Sequence, residues 1–305
     1  MPILDMAELL AVQGHGMRTV HDLFTGPALP TASGRSFGGQ VLGQALMAAG
    51  ETVTRERELH SLHGYFLRPG KATDTLTFEV ARLFDGGSFT RRRVQAFQYG
   101  EPIMSMIVSF QSVEPGIEHQ ERFDTSRLPD PESLPNLVTK YAHLRGNKHA
   151  AWLLDRPFDF RYVEGDMMVE RPEPAAREHV WMRAINPLAG DTMLQRAALA
   201  YGSDYLLIEP VARAHGFSWA EQNAKVASLD HSMWFHRPFD VNDWLLYVLE
   251  SPTAQGGRGL AHGKFYTRDG VHVASVSQES MVRFPMPEKG ADAAASPDST
   301  ASNRG

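Results

Sequence analysis

Between Phe37 and Gly50 the chain reads FGGQVLGQALMAAG, and from Val41 to Ala49 its apolar side chains fall on nearly every face of a helix. A surface helix keeps a polar side, so this pattern predicts a helix surrounded by protein. Upstream, residues 3–13 read as a short amphipathic helix, and a Pro/Gly-rich loop runs from Gly26 to Gly34. Downstream, segments 59–68, 74–83, 88–98 and 103–112 carry β-branched and aromatic residues. Asp85-Gly86-Gly87 and Tyr99-Gly100-Glu101-Pro102 supply hairpin turns between them. A helix followed by an antiparallel sheet is an α+β order.

The same order then recurs. From Glu114 to about Ala150 the composition shifts to Pro, Glu, Asp and Arg, which reads as a linker carrying one helix from near Asp130 to about Arg145. Strand-like segments 158–163 and 179–185 follow, and Asp191 is placed to cap an Ala- and Leu-rich helix over Thr192–Gly202. Further strands are expected at 225–236, 244–251, 259–267 and 271–282, with Arg268-Asp269-Gly270 as a turn. Residues 286–305, rich in Ala, Ser, Asp and Gly, read as a disordered tail.

The recurrence is visible in the residues themselves. Trp234-Phe235-His236-Arg237-Pro238 repeats the aromatic, aromatic, spacer, Arg, Pro order of Tyr65-Phe66-Leu67-Arg68-Pro69, 169 residues earlier. That period is too long for a solenoid and fits two domains of ordinary size. The predicted organisation is an N-terminal domain over 1–115, a linker over 116–150, a C-terminal domain over 151–288 and a tail over 289–305.

Composition narrows the chemistry. The 305 residues are 42% hydrophobic and 22% charged, ordinary for a globular chain, and a net charge of −6 gives no electrostatic case for binding nucleic acid or an anionic membrane. A phosphate-bearing ligand would need local positive charge. The absence of cysteine excludes disulfides, thiolate nucleophiles and thiolate metal sites. The start of the chain lacks a signal-peptide pattern, and no span of some 18 apolar residues occurs, so a cytoplasmic protein is expected. The final Ser302-Asn303-Arg304-Gly305 is not a peroxisomal Ser-Lys-Leu ending.

A helix apolar all round, held by a curved antiparallel sheet, is the hotdog arrangement, here predicted twice in tandem. The chain also resembles the type II acyl-CoA thioesterases, the double-hotdog family. The resemblance rests on FGGQVLGQAL, HSLHGYFLRPG, DGGSFTRRRV, LDHSMWFHRPF, WLLY and FYTRDGVHVAS, spread over about residues 35–285. It implies hydrolysis of fatty acyl-CoA to a free fatty acid and coenzyme A, with no cofactor. It also implies an active-site trio of Asp near the end of the second helix, Thr on the following strand and Gln on the last strand. Carried over by motif, these are Asp204 in YGSDYLL, Ser228 in VASLDHSMW and Gln278 in ASVSQES. Ser228 departs from the family Thr; it keeps the hydroxyl and loses the methyl that restricts χ1.

Such a trio suits direct attack by water. Asp204 would accept the water proton while Ser228 and Gln278 fix its position, and backbone N–H groups at the start of a buried helix would serve the oxyanion. Taken singly, each residue also has a plain structural reading: a helix-end turn, a small strand residue, a solvated amide. In the first half, Glu51 aligns opposite Asp204, the strand copy lacks the Ser, and Gln111 lies near the position of Gln278 without clean register. Chemistry is therefore expected in the second half.

Other signals compete. Gly34-Arg35-Ser36-Phe37-Gly38 matches the G-x-S-x-G elbow, but no strand precedes it and no β/α series follows. Gly38 and Gly43 have phosphate-loop spacing, with Gln44-Ala45 where Lys-Ser/Thr is required. Among the thirteen histidines, His60 with His63 and His231 with His236 stand at odd separations on predicted strands and so point to opposite faces. His63 and His231 read as hydrogen-bonded structural residues. Arg91-Arg92-Arg93, Arg258 and Lys264 are candidates for coenzyme A phosphates without assignment. Two alternatives to the thioesterase stand: a hotdog hydratase or dehydratase, whose nearest acid–base candidates Asp230 and His236 lie about 20 Å apart along a strand, and a non-catalytic acyl-CoA binding protein. A duplicated hotdog also leads to the expectation of a homo-oligomer.

Overall fold

The computed structural model describes residues 5–14, 21–31, 33–144, 154–169, 171–220 and 224–284. The predicted tail and the end of the predicted linker helix lie outside these residues. In chain order the strands are β1 (Gln13–Gly14), β2 (Asp22–Gly26), β3 (Arg57–Phe66), β4 (Leu76–Asp85), β5 (Phe89–Gln98), β6 (Glu101–Ser112), β7 (Phe158–Tyr162) and β8 (Arg177–Ala184). They continue as β9 (Lys225–Ser228), β10 (Asp230–Phe235), β11 (Leu245–Gln255), β12 (Arg258–Thr267) and β13 (His272–Arg283). The α-helices are α1 (Met6–Leu10), α2 (Gly38–Gly50), α3 (Leu137–Lys140), α4 (Thr192–Ser203) and α5 (Glu209–Ala214). The two expected apolar helices, α2 and α4, are buried along most of their length, and Asp191 caps α4 by accepting from the Leu194 N–H at 3.1 Å.

All strands join one antiparallel sheet, ordered β1-β2-β4-β5-β6-β3-β10-β13-β12-β11-β8-β7, with β9 paired to β13. The halves meet at β3 and β10, which are the two copies of the sequence repeat. Their register pairs His63 with Ser232, Leu62 with Met233 and Gly64 with His231. His63 and Ser232 are themselves 169 residues apart, so the pseudo-twofold axis of the duplication passes through this pair. His63 Nδ1 lies 3.1 Å from Ser232 Oγ, the structural hydrogen bond expected of it. Each half has the hotdog arrangement, and the core is continuous across both: Leu42 and Leu46 of α2 belong to the same buried cluster as Leu199 of α4.

The two helices run antiparallel with almost no side chain between them. A Cβ on Gly39 would stand 2.3 Å from the Tyr201 carbonyl oxygen, and one on Gly43 would stand 3.3 Å from that of Ala197. Glycine at these positions permits the approach. As a result, the first turn of α2 reaches the last turn of α4.

Three expectations change. The single strand over 225–236 is two, broken at Leu229, and β3 has the matching irregularity between Leu59 and Ser61. The linker helix is a series of short turns, Pro131–Ser133, Leu137–Lys140 and Ala142–Leu144. Pro135 lacks the N–H that a continuous helix would need at that point. The linker also packs: Phe123, Leu128 and Leu134 cover Trp181, Trp244, Leu246 and Tyr266 on the outer face of the second half. Strand β2 and helix α5 had no counterpart in the sequence reading.

Candidate active site

Asp204 is the C-cap of α4, in right-handed helical conformation and 9% exposed. Its carboxylate faces the start of α2. The Gly39 N–H hydrogen-bonds to it, and a Cβ on Gly38 would lie 2.6 Å from Oδ2. Ser228 Oγ donates to Oδ1 at 3.2 Å. Burial pushes the carboxyl up to about 7, against the opposing pull of Ser228, Gly39 and Gln278. An acid with that value is divided between its two forms at neutral pH, as a general base requires.

Gln278, 2% exposed on β13, donates from Nε2 to Ser228 Oγ at 3.0 Å and to Ser280 Oγ at 3.2 Å. Its Oε1 must then accept, and the partner is His231 Nδ1 at 2.7 Å. Burial lowers His231 to about 4, so the ring is neutral and carries one proton. The Gln278 carbonyl places that proton on Nδ1, leaving Nε2 unprotonated 3.1 Å from Ser203 Oγ, which donates its own proton to the Ala200 carbonyl at 2.8 Å. A directional chain results: His231 to Gln278 to Ser228 to Asp204. It holds the amide nitrogen of Gln278 and the Ser228 hydroxyl toward the carboxylate.

The trio named from the family motif is thus brought together by α4, β9 and β13. His231 was read as a structural histidine, and its place behind Gln278 was missed. The available signal was its two-residue spacing with Met233 and Phe235, which put all three on the buried face of β10. A cleft of about 350 Å³ opens beside this cluster, between Arg35, Gly38, Val41 and Phe66 of the first half and Val226–Leu229 of the second. Ser228 and Gly38 line it; Asp204 and Gln278 stand behind them. The three candidate residues stand in the second half, while the first half supplies one wall of the cleft and the helix start.

The remaining candidates separate. Ser36 Oγ donates to the Lys71 carbonyl at 3.0 Å and is a structural hydroxyl. Asp230 Oδ1 accepts from the Glu279 N–H at 2.7 Å, and His236 Nε2 meets Ser275 Oγ at 2.9 Å, so the two do not form an acid–base pair. His60 bonds Ser109. Arg92 is buried against Thr52 and Asp85, Arg258 pairs with Glu279, Lys264 pairs with Glu121, and Arg91 lies over the rings of Phe84 and Phe89. Glu51 is an exposed C-cap of α2, at the position Asp204 holds on α4. The ladder places Val108, not Gln111, where Gln278 stands in the second half, because Val108 pairs with Arg92 as Gln278 pairs with Ala261.

A tandem hotdog with a buried carboxylate, hydroxyl and amide around a cleft between its halves has the groups needed to activate water. Comparison with known proteins makes this specific. The family described as "Acyl-CoA thioesterase" matches residues 159–281, and "Acyl-CoA thioesterase N-terminal domain" matches residues 27–111. The Haemophilus influenzae protein "Acyl-CoA thioesterase 2" is 34% identical over 264 residues, covering 86% of this chain and 92% of its own. The human "Acyl-coenzyme A thioesterase 8" is 36% identical over 277 residues, covering 86% and 85%. Among solved structures, an acyl-CoA thioesterase II from Mycobacterium marinum superposes with a TM-score of 0.74 at 39% identity, over 92% of this chain and 99% of that one. The chain belongs to the acyl-CoA thioesterase family, hydrolases of acyl-CoA thioesters.

Proposed function

We propose that this chain hydrolyses fatty acyl-CoA to the free fatty acid and coenzyme A by direct attack of a water activated at Asp204. The observation that carries the reading is the buried carboxyl, at about 7, at the end of the hydrogen-bond chain through Ser228 and Gln278. Asp204 takes a proton from water as its oxygen bonds to the thioester carbonyl carbon. The resulting oxyanion is served by the Gly38 N–H in the first turn of α2, which borders the cleft. The Gly39 N–H holds Asp204, and those of Gln40 and Val41 bond the Phe37 carbonyl. Collapse breaks the C–S bond, and protonated Asp204 returns the proton to the coenzyme A sulfur. No cofactor takes part. Val41, Phe66 and Ile103 give the cleft an apolar wall for an acyl chain beside α2.

Ser228 keeps the hydroxyl contact with Asp204, which favours turnover over a purely binding role. The sequence expectation of a cytoplasmic homo-oligomer belongs to this proposal. Among the described residues no helix is long and apolar enough to cross a membrane. Tyr65, Ile107 and Trp234 are exposed on the outer face of the central strands and offer an apolar surface for a second copy. Light scattering would read the mass directly.

The test is coenzyme A release from acyl-CoAs of graded chain length, followed with a thiol reagent; a protein without cysteine adds no background. Turnover lost in Asp204→Asn and kept in Ser36→Ala is expected. Absence of turnover in the wild type, with acyl-CoA still bound, would establish the binding-protein alternative instead.

A further inference from the structure

Hydrolysis at Ser228 and Asp204 leaves the phosphates of coenzyme A without a partner, and a chain of net charge −6 does not attract a polyanion by its overall field. The cleft volume of about 350 Å³ lies at the small end of the range for ligand pockets, so the nucleotide end must rest at the mouth. Most basic residues of the second half are already engaged. Glu121 holds Lys264, Asp130 and Glu132 hold Arg268, Glu279 holds Arg258, and Arg237 donates to the carbonyls of His119 and His272.

The first-half wall differs. Arg35 and Arg68 line the cleft that contains Ser228. Arg35 forms an isolated antiparallel bridge with Lys71, which puts both side chains on the same side of that bridge. Among the described residues the Arg35 guanidinium and the Lys71 ammonium make no ion pair; Lys71 lies 5.2 Å from the Tyr99 ring centroid. Arg68 donates from one guanidinium nitrogen to the Pro102 carbonyl at 2.9 Å and meets Glu101 with another at 3.3 Å, both side chains at least half exposed. The ion pair is a contact of little net worth that a phosphate would displace.

This rim is built. Ser36 N–H donates to Gly70 O at 2.9 Å, Ala72 N–H to Gly34 O at 3.0 Å, and Ser36 Oγ to Lys71 O at 3.0 Å. Behind it Gln98, 7% exposed, accepts from Lys71 N–H at 2.7 Å and donates to Lys71 O at 2.9 Å and Asp74 O at 2.7 Å. The serine of the elbow-like segment and a buried glutamine thus fix the two strands that carry the charges, so less ordering is required on binding. In the sequence repeat, Lys71 corresponds to Asp240. The silent side has an acid where this side has a base.

We propose that Arg35, Arg68 and Lys71 form the phosphate subsite for coenzyme A at the mouth of the cleft. The proposal rests on the hydrolytic reading of that cleft, and its test separates the two. Hydrolysis of octanoyl-CoA is compared with that of octanoyl-pantetheine, which has the same thioester and no phosphate. The Arg35→Gln, Arg68→Gln, Lys71→Gln triple variant is expected to raise KM for the CoA ester roughly tenfold or more, the loss of charge-assisted hydrogen bonds, with kcat within about twofold. Its kcat/KM for the pantetheine ester should stay within about twofold of wild type, which also reports that it is folded. The KM of wild type for the CoA ester should climb with salt, and that of the variant should not. The surface variant Arg177→Gln should behave as wild type on both. An equal loss on both esters, or no loss on either, overturns the subsite while leaving hydrolysis standing. A wild type inactive on both esters would overturn the hydrolytic reading and the subsite with it.

Discussion

In the second half Asp204 closes α4, and in the first half Glu51 closes α2 at the same cap position. The ladders then align the remaining residues pair by pair. Ser228 opposite Ser280 on β9 and β13 corresponds to Leu59 opposite Phe110 on β3 and β6. Gln278 corresponds to Val108, His231 to Leu62, and Ala261 to Arg92. At the positions of Ser228, Ser280, Gln278 and His231 the first half has Leu, Phe, Val and Leu, while its own buried polar group, Arg92, bonded to Thr52 and Asp85, stands where the second half has Ala261. Even the cleft recurs, at about 260 Å³ near Gly190, Thr192 and Pro238, but Arg196 stands in it, donating to Leu59 O at 2.7 Å and Glu58 at 2.6 Å. The fold requires volume at these positions and not polarity. A buried polar network is costly unless every member is satisfied, and the proposed chemistry would account for this one.

The largest contrast is at the caps. Asp204→Ala should lower kcat by about 10²- to 10⁴-fold, the usual contribution of a general base, while Glu51→Ala should stay within about twofold in a coenzyme A release assay. Next comes the supporting chain. His231→Leu, which copies Leu62, should lower kcat roughly tenfold with KM unchanged, because Gln278 loses the donor that orients it. Steady-state kinetics that moved KM instead would place His231 in binding. In the silent cleft the effect should fall on stability alone: Arg196→Met should cost about 1–3 kcal/mol in denaturant unfolding and leave kcat as it was.

The effects of pH follow from the raised carboxyl. With its folded value at about 7, Asp204 is in its base form only above that, so kcat should rise through about pH 7 and level off. For stability the sign is opposite. A folded value above the unfolded one gives a contribution fully present below the ordinary carboxyl range and lost as pH rises through about 7. Asp204→Asn should therefore gain about 2 kcal/mol over wild type at pH 8 and little at pH 4, measured by unfolding at both. The smallest change is Ser228→Thr, which restores the family hydroxyl with its methyl; kcat should stay within a few-fold of wild type. A rise would show that the serine oxygen is the less firmly held.

Particular residues explain what could be seen in advance. Helices α2 and α4 announce themselves because apolar residues occupy nearly every face, and Asp191 marks the start of the second. Helix α5 was missed because its buried positions include Glu209 and Arg213, which read as surface; Arg213 reaches buried Glu178 at 2.8 Å. Strand β2 was hidden by the Pro/Gly-rich stretch that begins at its last residue, Gly26. The break at Leu229 is a property of pairing with β13 and leaves no periodic trace. Asp204, Ser228 and Gln278 were legible as a set only through their motifs, since each has an ordinary structural reading by itself.

The sequence by itself determined the two buried helices, the order of strands and the duplication, because local periodicity and turn chemistry act over a few residues at a time. It also determined that no protein thiol takes part, since no cysteine is present. The tertiary structure decided that the two copies of the repeat face each other as β3 and β10. It also brought a carboxylate at the end of α4 against the glycines at the start of α2, where burial sets its proton affinity. Which arginines remain available at the cleft mouth was decided there too, because ion pairing depends on the side chains that folding brings near.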